Sequence, residues 1–205
     1  ALLMKRKGYK VIGCFMKNWS DSKNDLNECT WKGERRMALK IASMLDIPLI
    51  TLDFEKQYRK LVVQEMINKY KKGITPNPDV DCNEKVKFPL LIKAMKKLKA
   101  DYLVTGHYSK IQYNNKTKKY ELYRAKSEEK DQSYFLYRLS QKDLANSLFP
   151  IGEYTKSQVR DVALKNKFPN YNKKSTVGIC FIGKVNLKKF LQHLGIKPKR
   201  GNIFD

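Results

Sequence analysis

Two cysteines stand where a thiol could react. Cys82 lies three residues after Asp79, at the end of Thr75-Pro76-Asn77-Pro78-Asp79. Two prolines there forbid a helix interior and a central strand, so the segment is expected to be a rigid turn leading into a helix. A helix start favours the thiolate, the form that attacks carbon or sulfur. Asp79, on the same turn, could take or return a proton. A turn or N-cap carboxylate fits its local sequence equally well. Cys180 sits in Gly178-Ile179-Cys180-Phe181-Ile182-Gly183, where glycines on both sides let backbone and substrate approach a buried sulfur. Taken alone, each of these cysteines reads more often as a small apolar core residue. Cys14 falls inside an expected strand and is assigned to the core. Cys29, at a loop-to-helix junction, has no acid–base partner nearby and is given no role.

Four scattered cysteines, no Cys-x-x-Cys pair and two distant histidines, His107 and His193, fit neither a disulfide scaffold nor a structural zinc site. A reducing compartment fits better, with the cytoplasm as default and an organelle as the alternative. No run of 18 apolar residues occurs, so no membrane-spanning helix is expected.

The elements that must position these side chains follow from periodicity. Residues 9–16, 49–54 and 101–105 are apolar runs of strand length. Met37, Ile41, Met44 and Leu45 repeat at helical spacing. Tyr58, Val62, Met66 and Tyr70 mark one face of a second helix, stopped at Gly73, and Leu91, Met95 and Leu98 mark a third. Strands alternating with helices imply an α/β fold with a parallel sheet, whose ligands bind beyond the carboxyl ends of the strands. After residue 108 the texture changes. Residues 108–113 and 119–124 flank Asn114-Asn115-Lys116-Thr117 as a hairpin. Residues 140–148 and 155–166 read as short helices, the second capped by Thr155, and a last helix falls near 186–194.

Forty-three Lys and Arg against 20 Asp and Glu give a net charge of +23. That excess attracts polyanions, nucleic acid first, although a generally lysine-rich composition would produce the same number. Lys130-Asp131-Gln132 beside aromatics suits contacts to phosphates and base edges, or is a solvated loop. Gly106-His107-Tyr108, after the third strand, would let a nucleotide approach the backbone.

Together, Phe15-Met16-Lys17-Asn18-Trp19, Thr75-Pro76-Asn77-Pro78-Asp79 with Cys82-Asn83, Thr105-Gly106-His107-Tyr108, the run Lys130 to Tyr137, Ser147-Leu148-Phe149-Pro150 and Gly178 to Gly183 stand in an order that resembles the tRNA 2-thiouridylases. The resemblance implies an adenine-nucleotide α-hydrolase-like (Rossmann-like) parallel sheet with helices on both faces. It implies an ATP-pyrophosphatase domain over 1–110. A hairpin and mostly helical tRNA-binding region over 111–205 would carry the second cysteine. It implies ATP, with Mg2+, activating O2 of the wobble uridine, and a persulfide as sulfur source. Carried over by position, Cys180 resembles the persulfide cysteine, Cys82 its partner nucleophile and Asp79 the acid–base residue. Asn77, Pro78 and Asp79 would border the target base, Met16 and Gly106 the adenosine, and Lys130, Asp131 and Gln132 the tRNA. A sulfur-relay protein or cysteine desulfurase would be a further partner.

The sequence departs from the family pattern in three places. The phosphate-binding Ser-Gly-Gly-Val-Asp-Ser loop would precede the helix ending near Gly8, and a β-barrel region would follow Asp205. Ser175 stands where an aspartate is frequent. The chain opens as if in mid-helix and is therefore expected to be cut from a longer protein and not fully active by itself. Two other readings remain: an RNA-binding remnant without ATP chemistry, and another ATP pyrophosphatase sharing the α/β core.

Overall fold

The structure is a computed structural model that describes residues 1–21, 30–173, 182 and 187–196. A short helix, α1 (Leu2–Arg6), closes at Gly8, whose φ of 85° suits a residue without a side chain. Strand β1 (Gly13–Lys17), helix α2 (Thr30–Met44) and strand β2 (Leu49–Asp53) follow. β1 and β2 pair in parallel, Gly13 opposite Leu49 and Lys17 opposite Asp53, the geometry a crossover helix allows. Helices α3 (Glu55–Tyr58) and α4 (Gln64–Lys71) are one rod interrupted by a π turn at Arg59–Val63. A second rod joins α5 (Pro78–Cys82) to α6 (Phe88–Lys97) through a π turn at Asn83–Lys87. Strand β3 (Leu103–Val104) precedes the hairpin of β4 (Ser109–Asn114) and β5 (Lys119–Arg124). Helix α7 (Gln141–Ala145), strand β6 (Ser147–Leu148), and helices α8 (Lys156–Lys165) and α9 (Leu187–His193) complete the described chain. Among the described residues no helix is long and apolar enough to cross a membrane.

The π turns have a sequence cause. An α-helix turns about 100° per residue, so the four-residue steps Tyr58, Val62, Met66 drift by about 40° each. A wider π turn absorbs that drift, and all three side chains are buried on one side. They form a first core with Trp19, Val63, Cys82, Val86 and Ile182, covered by Phe190, Leu191 and Leu194. Phe88, Ile92 and Met95 belong to a second core with Leu136, Leu139, Leu144 and Phe149. The rod of α5 and α6 thus serves two cores, changing sides at its π turn.

Three expectations need correction. The stretch 140–148 is not all helix: α7 stops at Ala145, and Ser147–Leu148 run parallel to β3. Backbone bonds explain it, since the Leu103 amide donates to Asn146 O and the Thr105 amide to Leu148 O, while Pro150 turns Phe149 away from helix. Cys14, in β1, is exposed rather than core. Met44 and Leu98, each at the end of an apolar row, are exposed as well.

The loop after β3 is locked by the second core. The His107 ring stacks on Phe88 at 5.6 Å and meets Phe149 edge-on at 5.6 Å. Its Nδ1 lies 2.7 Å from Thr105 Oγ1 and its Nε2 3.4 Å from Lys87 Nζ. A lysine ammonium can only donate, so the neutral ring with its proton on Nδ1 satisfies both neighbours. Burial, with the Lys87 charge adding to it, pushes the His107 pKa down to about 3. The unfolded chain would take up a proton near pH 6.5 and the folded chain would not. This contribution to stability is therefore complete above about pH 6.5 and is lost as pH falls toward 3. Replacing His107 by Phe keeps the ring packing and removes the proton. The melting temperature of H107F is expected to fall less than that of the unsubstituted protein between pH 6.5 and 4, as read by thermal unfolding in parallel buffers.

Candidate functional site

The turn carrying Asp79 is built around Asn77, whose side-chain oxygen accepts from the Asp79 and Val80 amides at 3.2 Å each. Pro78 occupies the first helical position, where a missing N–H costs nothing. Asn77 is the N-cap of α5, a role the sequence left to Asp79. Cys82 ends α5 in the first core, with 0% of its surface exposed. Its neighbour Asp81 is buried too, with Lys69 Nζ at 3.0 Å, Lys85 Nζ at 3.2 Å and Arg138 Nη1 at 3.7 Å. Burial pushes the Asp81 carboxyl upward, but hydrogen bonds from Lys69 and Lys85 outweigh it and hold the group below its ordinary range. This ion cluster fastens the start of the second rod to α4 and to the 133–138 loop.

At the carboxyl ends of β1 and β2, Lys17 pairs with Asp53 at 2.8 Å and Glu55 at 3.2 Å. Arg59 pairs with Glu55 at 2.8 Å and lies 4.2 Å over the Trp19 ring. Burial would raise the Glu55 carboxyl, yet bonds from Ser20, Arg59 and Lys17 bring it down to about 2. The network fixes Trp19, which packs edge-on to Tyr58 and Phe190 in the core that holds Cys82.

The strand ends, the Asp79 turn and the 129–135 segment open onto one cleft of about 2110 Å³. That exceeds the roughly 300–1,000 Å³ of ordinary small-molecule pockets. Met16, Asp79, Gly106, Lys130, Asp131 and Gln132 all line it. Asn77 and Pro78 shape the turn without lining the cleft, and Cys82 lies behind its wall. Cys180, Cys29 and Ser175 lie outside the described residues. Ile182, two residues beyond Cys180 in sequence, is buried in the same cluster as Cys82.

The cleft wall carries polar groups that the described chain leaves unpartnered. Asn18, Trp31, Asn83 and Tyr108 line it and hold buried polar atoms without a hydrogen-bond partner among the described residues, an arrangement that a polar ligand or water resolves. Lys156 and Arg160 of α8 enter it beside Lys130. Burial, then the charges of Arg160 and Lys130, lower the Lys156 pKa, so these cations crowd one another. At Gly106 an added Cβ would meet only Ile151 Cδ1, at 4.0 Å. Neither backbone strain nor packing demands glycine there, which leaves the backbone open to an approaching group.

Asp131 and Gln132 use their side chains on the chain itself. Asp131 accepts from the Ala125 amide at 2.8 Å and Ser133 Oγ at 2.6 Å. Gln132 accepts from the Tyr108 amide at 3.0 Å and donates its own amide to Tyr108 O at 2.8 Å. Among the residues that sequence reasoning passed over are Asn18, Arg59, Lys156 and Arg160. Lys156 and Arg160 left a signal: like charges four residues apart on a helix disfavour it, and need a reason beyond stability.

A protein-family profile described as tRNA methyl transferase HUP domain matches residues 1–184. The tRNA-specific 2-thiouridylase of Flavobacterium johnsoniae is 46% identical over 207 residues, which cover 99% of this chain and 52% of that protein. Its counterpart in Coxiella burnetii strain RSA 493 is 47% identical, over 99% of this chain and 55% of the relative. That of Malacoplasma penetrans is 41% identical, over 100% and 58%. The chain thus spans about half the length of the curated relatives it matches. An α/β core with parallel strands and a ligand cleft at their carboxyl ends is what a nucleotide-binding domain of this kind requires. The chain belongs to the family described as the tRNA methyl transferase HUP domain.

Proposed function

We propose that this chain is the nucleotide- and uridine-handling part of a tRNA 2-thiouridylase, which replaces O2 of the wobble uridine by sulfur. The observation that carries the reading is the convergence of Met16, Gly106, Asp79 and Lys130 on one cleft. Its partner is tRNA, and its co-substrates are ATP with Mg2+ and a persulfide delivered by a sulfur-relay protein or cysteine desulfurase. That the relatives are tRNA-specific 2-thiouridylases supports the tRNA and the thiolation.

When bound, ATP supplies the activation that turns the uridine C2 oxygen into a good leaving group. The Met16 and Gly106 backbones hold the adenosine, the orphaned polar atoms of the cleft wall offer hydrogen bonds, and the crowded cations around Lys156 attract phosphates. Asp79 is fixed beside the cleft by the Asn77 cap, ready to hold or return a proton at the target base. The outer sulfur of a Cys180 persulfide becomes bonded to C2 as AMP leaves. Cys82 attacks the inner, Cys180 sulfur, releasing the outer sulfur to the base and leaving a Cys82–Cys180 disulfide, which an external thiol reduces before the next turnover. The burial of Ile182 in the cluster of Cys82 supports this pairing. A reducing compartment, the cytoplasm or an organelle, suits such a cycle.

Two tests bear on it. Gly106→Ala is expected to leave the melting temperature nearly unchanged, since the new methyl meets only Ile151 at 4.0 Å. It should weaken ATP binding about tenfold, about 1.4 kcal/mol, by calorimetry. Equal ATP affinity in both proteins would remove Gly106 from the adenosine site. In the full-length protein, Cys82→Ser and Cys180→Ser should each cut wobble-uridine thiolation by about a thousandfold or more, measured by mass spectrometry of digested tRNA. Thiolation surviving in either variant would sink the two-cysteine mechanism.

A further inference from the structure

The 130–138 segment turns its polar side chains inward and its aromatic ones outward. Asp131 and Gln132 bind the chain, and Leu136 is buried in the second core. Tyr134, 58% exposed, and Tyr137, 64% exposed, face solvent, as does Arg138. Both are more exposed than any other large apolar side chain among the described residues.

These rings are not on a loose loop. The Phe135 amide donates to Gln132 O at 3.0 Å, the Leu136 amide to Ser133 O at 2.9 Å and the Leu139 amide to Leu136 O at 3.0 Å. Tyr134 lies inside the 3-10 turn Ser133–Phe135, and Tyr137 follows its cap Leu136 by one residue. Each ring is braced. Phe135 backs Tyr134 with ring centroids 3.9 Å apart, and the Arg138 guanidinium lies 5.7 Å from the Tyr137 centroid. The segment is docked on the second rod, because Asn83 Nδ2 donates to Phe135 O at 3.2 Å and Arg138 pairs with Glu84 at 3.1 Å. Asn83 follows Cys82 directly, and Tyr134 lines the cleft.

We infer that Tyr134 and Tyr137 form a stacking platform for unpaired bases of an RNA loop. The inference rests on the proposed tRNA reading. A base drawn from its loop toward Asp79 leaves its neighbours without stacking partners. Rigid, exposed rings offer replacement π-faces. Charge complementarity selects the occupant: a chain of net charge +23 faces a polyanion more favourably than a neutral protein surface.

The test uses the full-length protein with two fluorescein-labelled RNAs, a hairpin with a uridine-containing single-stranded loop and a fully paired duplex. Tyr134→Ala and Tyr137→Ala should each weaken hairpin binding about tenfold, and Tyr→Phe at either site should retain it. Duplex affinity and the salt dependence of hairpin binding should stay as they are, because no charge is removed. Alanine variants that bind the hairpin like the unsubstituted protein would overturn the platform and leave the proposed function standing. So would variants that bind RNA normally and lose only sulfur uptake from a protein donor, which would make the rings a protein-docking surface. An unsubstituted protein that binds neither RNA would sink the proposed function together with the inference.

Discussion

The side change within the second helical rod is the constraint on which the arrangement depends. At about 100° per residue, Phe88, Ile92 and Met95 stand roughly 180–240° around the axis from Val86, so one rod presents two opposite apolar faces. Cys82 and Val86 enter one core while Phe88, Ile92 and Met95 enter the other, with the π turn at Asn83–Lys87 lying where the first set gives way to the second. Two consequences follow. Asn83, at the start of the turn, can reach across to Phe135 O and hold the tyrosine segment against the rod. Lys87, at its end, meets His107 and so fixes the loop after β3. The Asp79 turn, Gly106 and Lys130 share a cleft because one rod touches all three neighbourhoods.

Electrostatics is arranged in two layers around that rod. Carboxylates that are buried or partly buried are matched with cations: Asp81 with Lys69, Lys85 and Arg138, and Glu55 with Lys17 and Arg59. Removing one member of such a set leaves an uncompensated charge, so these pairs specify geometry more than they add stability. In the cleft the balance reverses. Lys130, Lys156 and Arg160 crowd one another, and the ammonium of Lys156 is held below its ordinary pKa. Like charges held near one another raise the energy of the ligand-free protein. Under the proposed function, the net charge of +23 would draw a polyanion near, and this group would meet its phosphates.

Periodicity and turn chemistry made much of the fold legible. The Thr155 cap, the hairpin strands around Asn114 and the buried row Tyr58, Val62, Met66 follow from local rules that tertiary structure had no reason to override. The misses fall where a distant partner decides. Ser147–Leu148 is a strand only because β3 offers it backbone bonds, and the exposure of Cys14 could not be read from an apolar run. The candidate site divides the same way. Asp79, Gly106 and Lys130 could be named from short motifs. The Asp81 ion cluster, the orphaned amides of Asn18 and Asn83 and the inward turn of Asp131 and Gln132 are relations between segments far apart in sequence.

The burial of Cys82 bears on how a sulfur reaction could be kept orderly. An exposed nucleophilic thiolate oxidises and exchanges with any disulfide it meets. Inside a cluster of Trp19, Tyr58, Met66 and Val86, the sulfur of Cys82 is out of reach of bulk oxidant. Access then requires part of that cluster to open, and the covering residues identify which part. Tyr58, Val62 and Met66 belong to a rod held by the Glu55–Arg59 network and by its own backbone bonds. Ile182, Phe190, Leu191 and Leu194 come from a separate segment beyond residue 181. Withdrawing that segment costs apolar contacts but breaks none of the ion clusters above. The same stretch of chain carries Cys180 two residues before Ile182. The part of the core that covers Cys82 is therefore adjacent in sequence to the cysteine proposed as its partner.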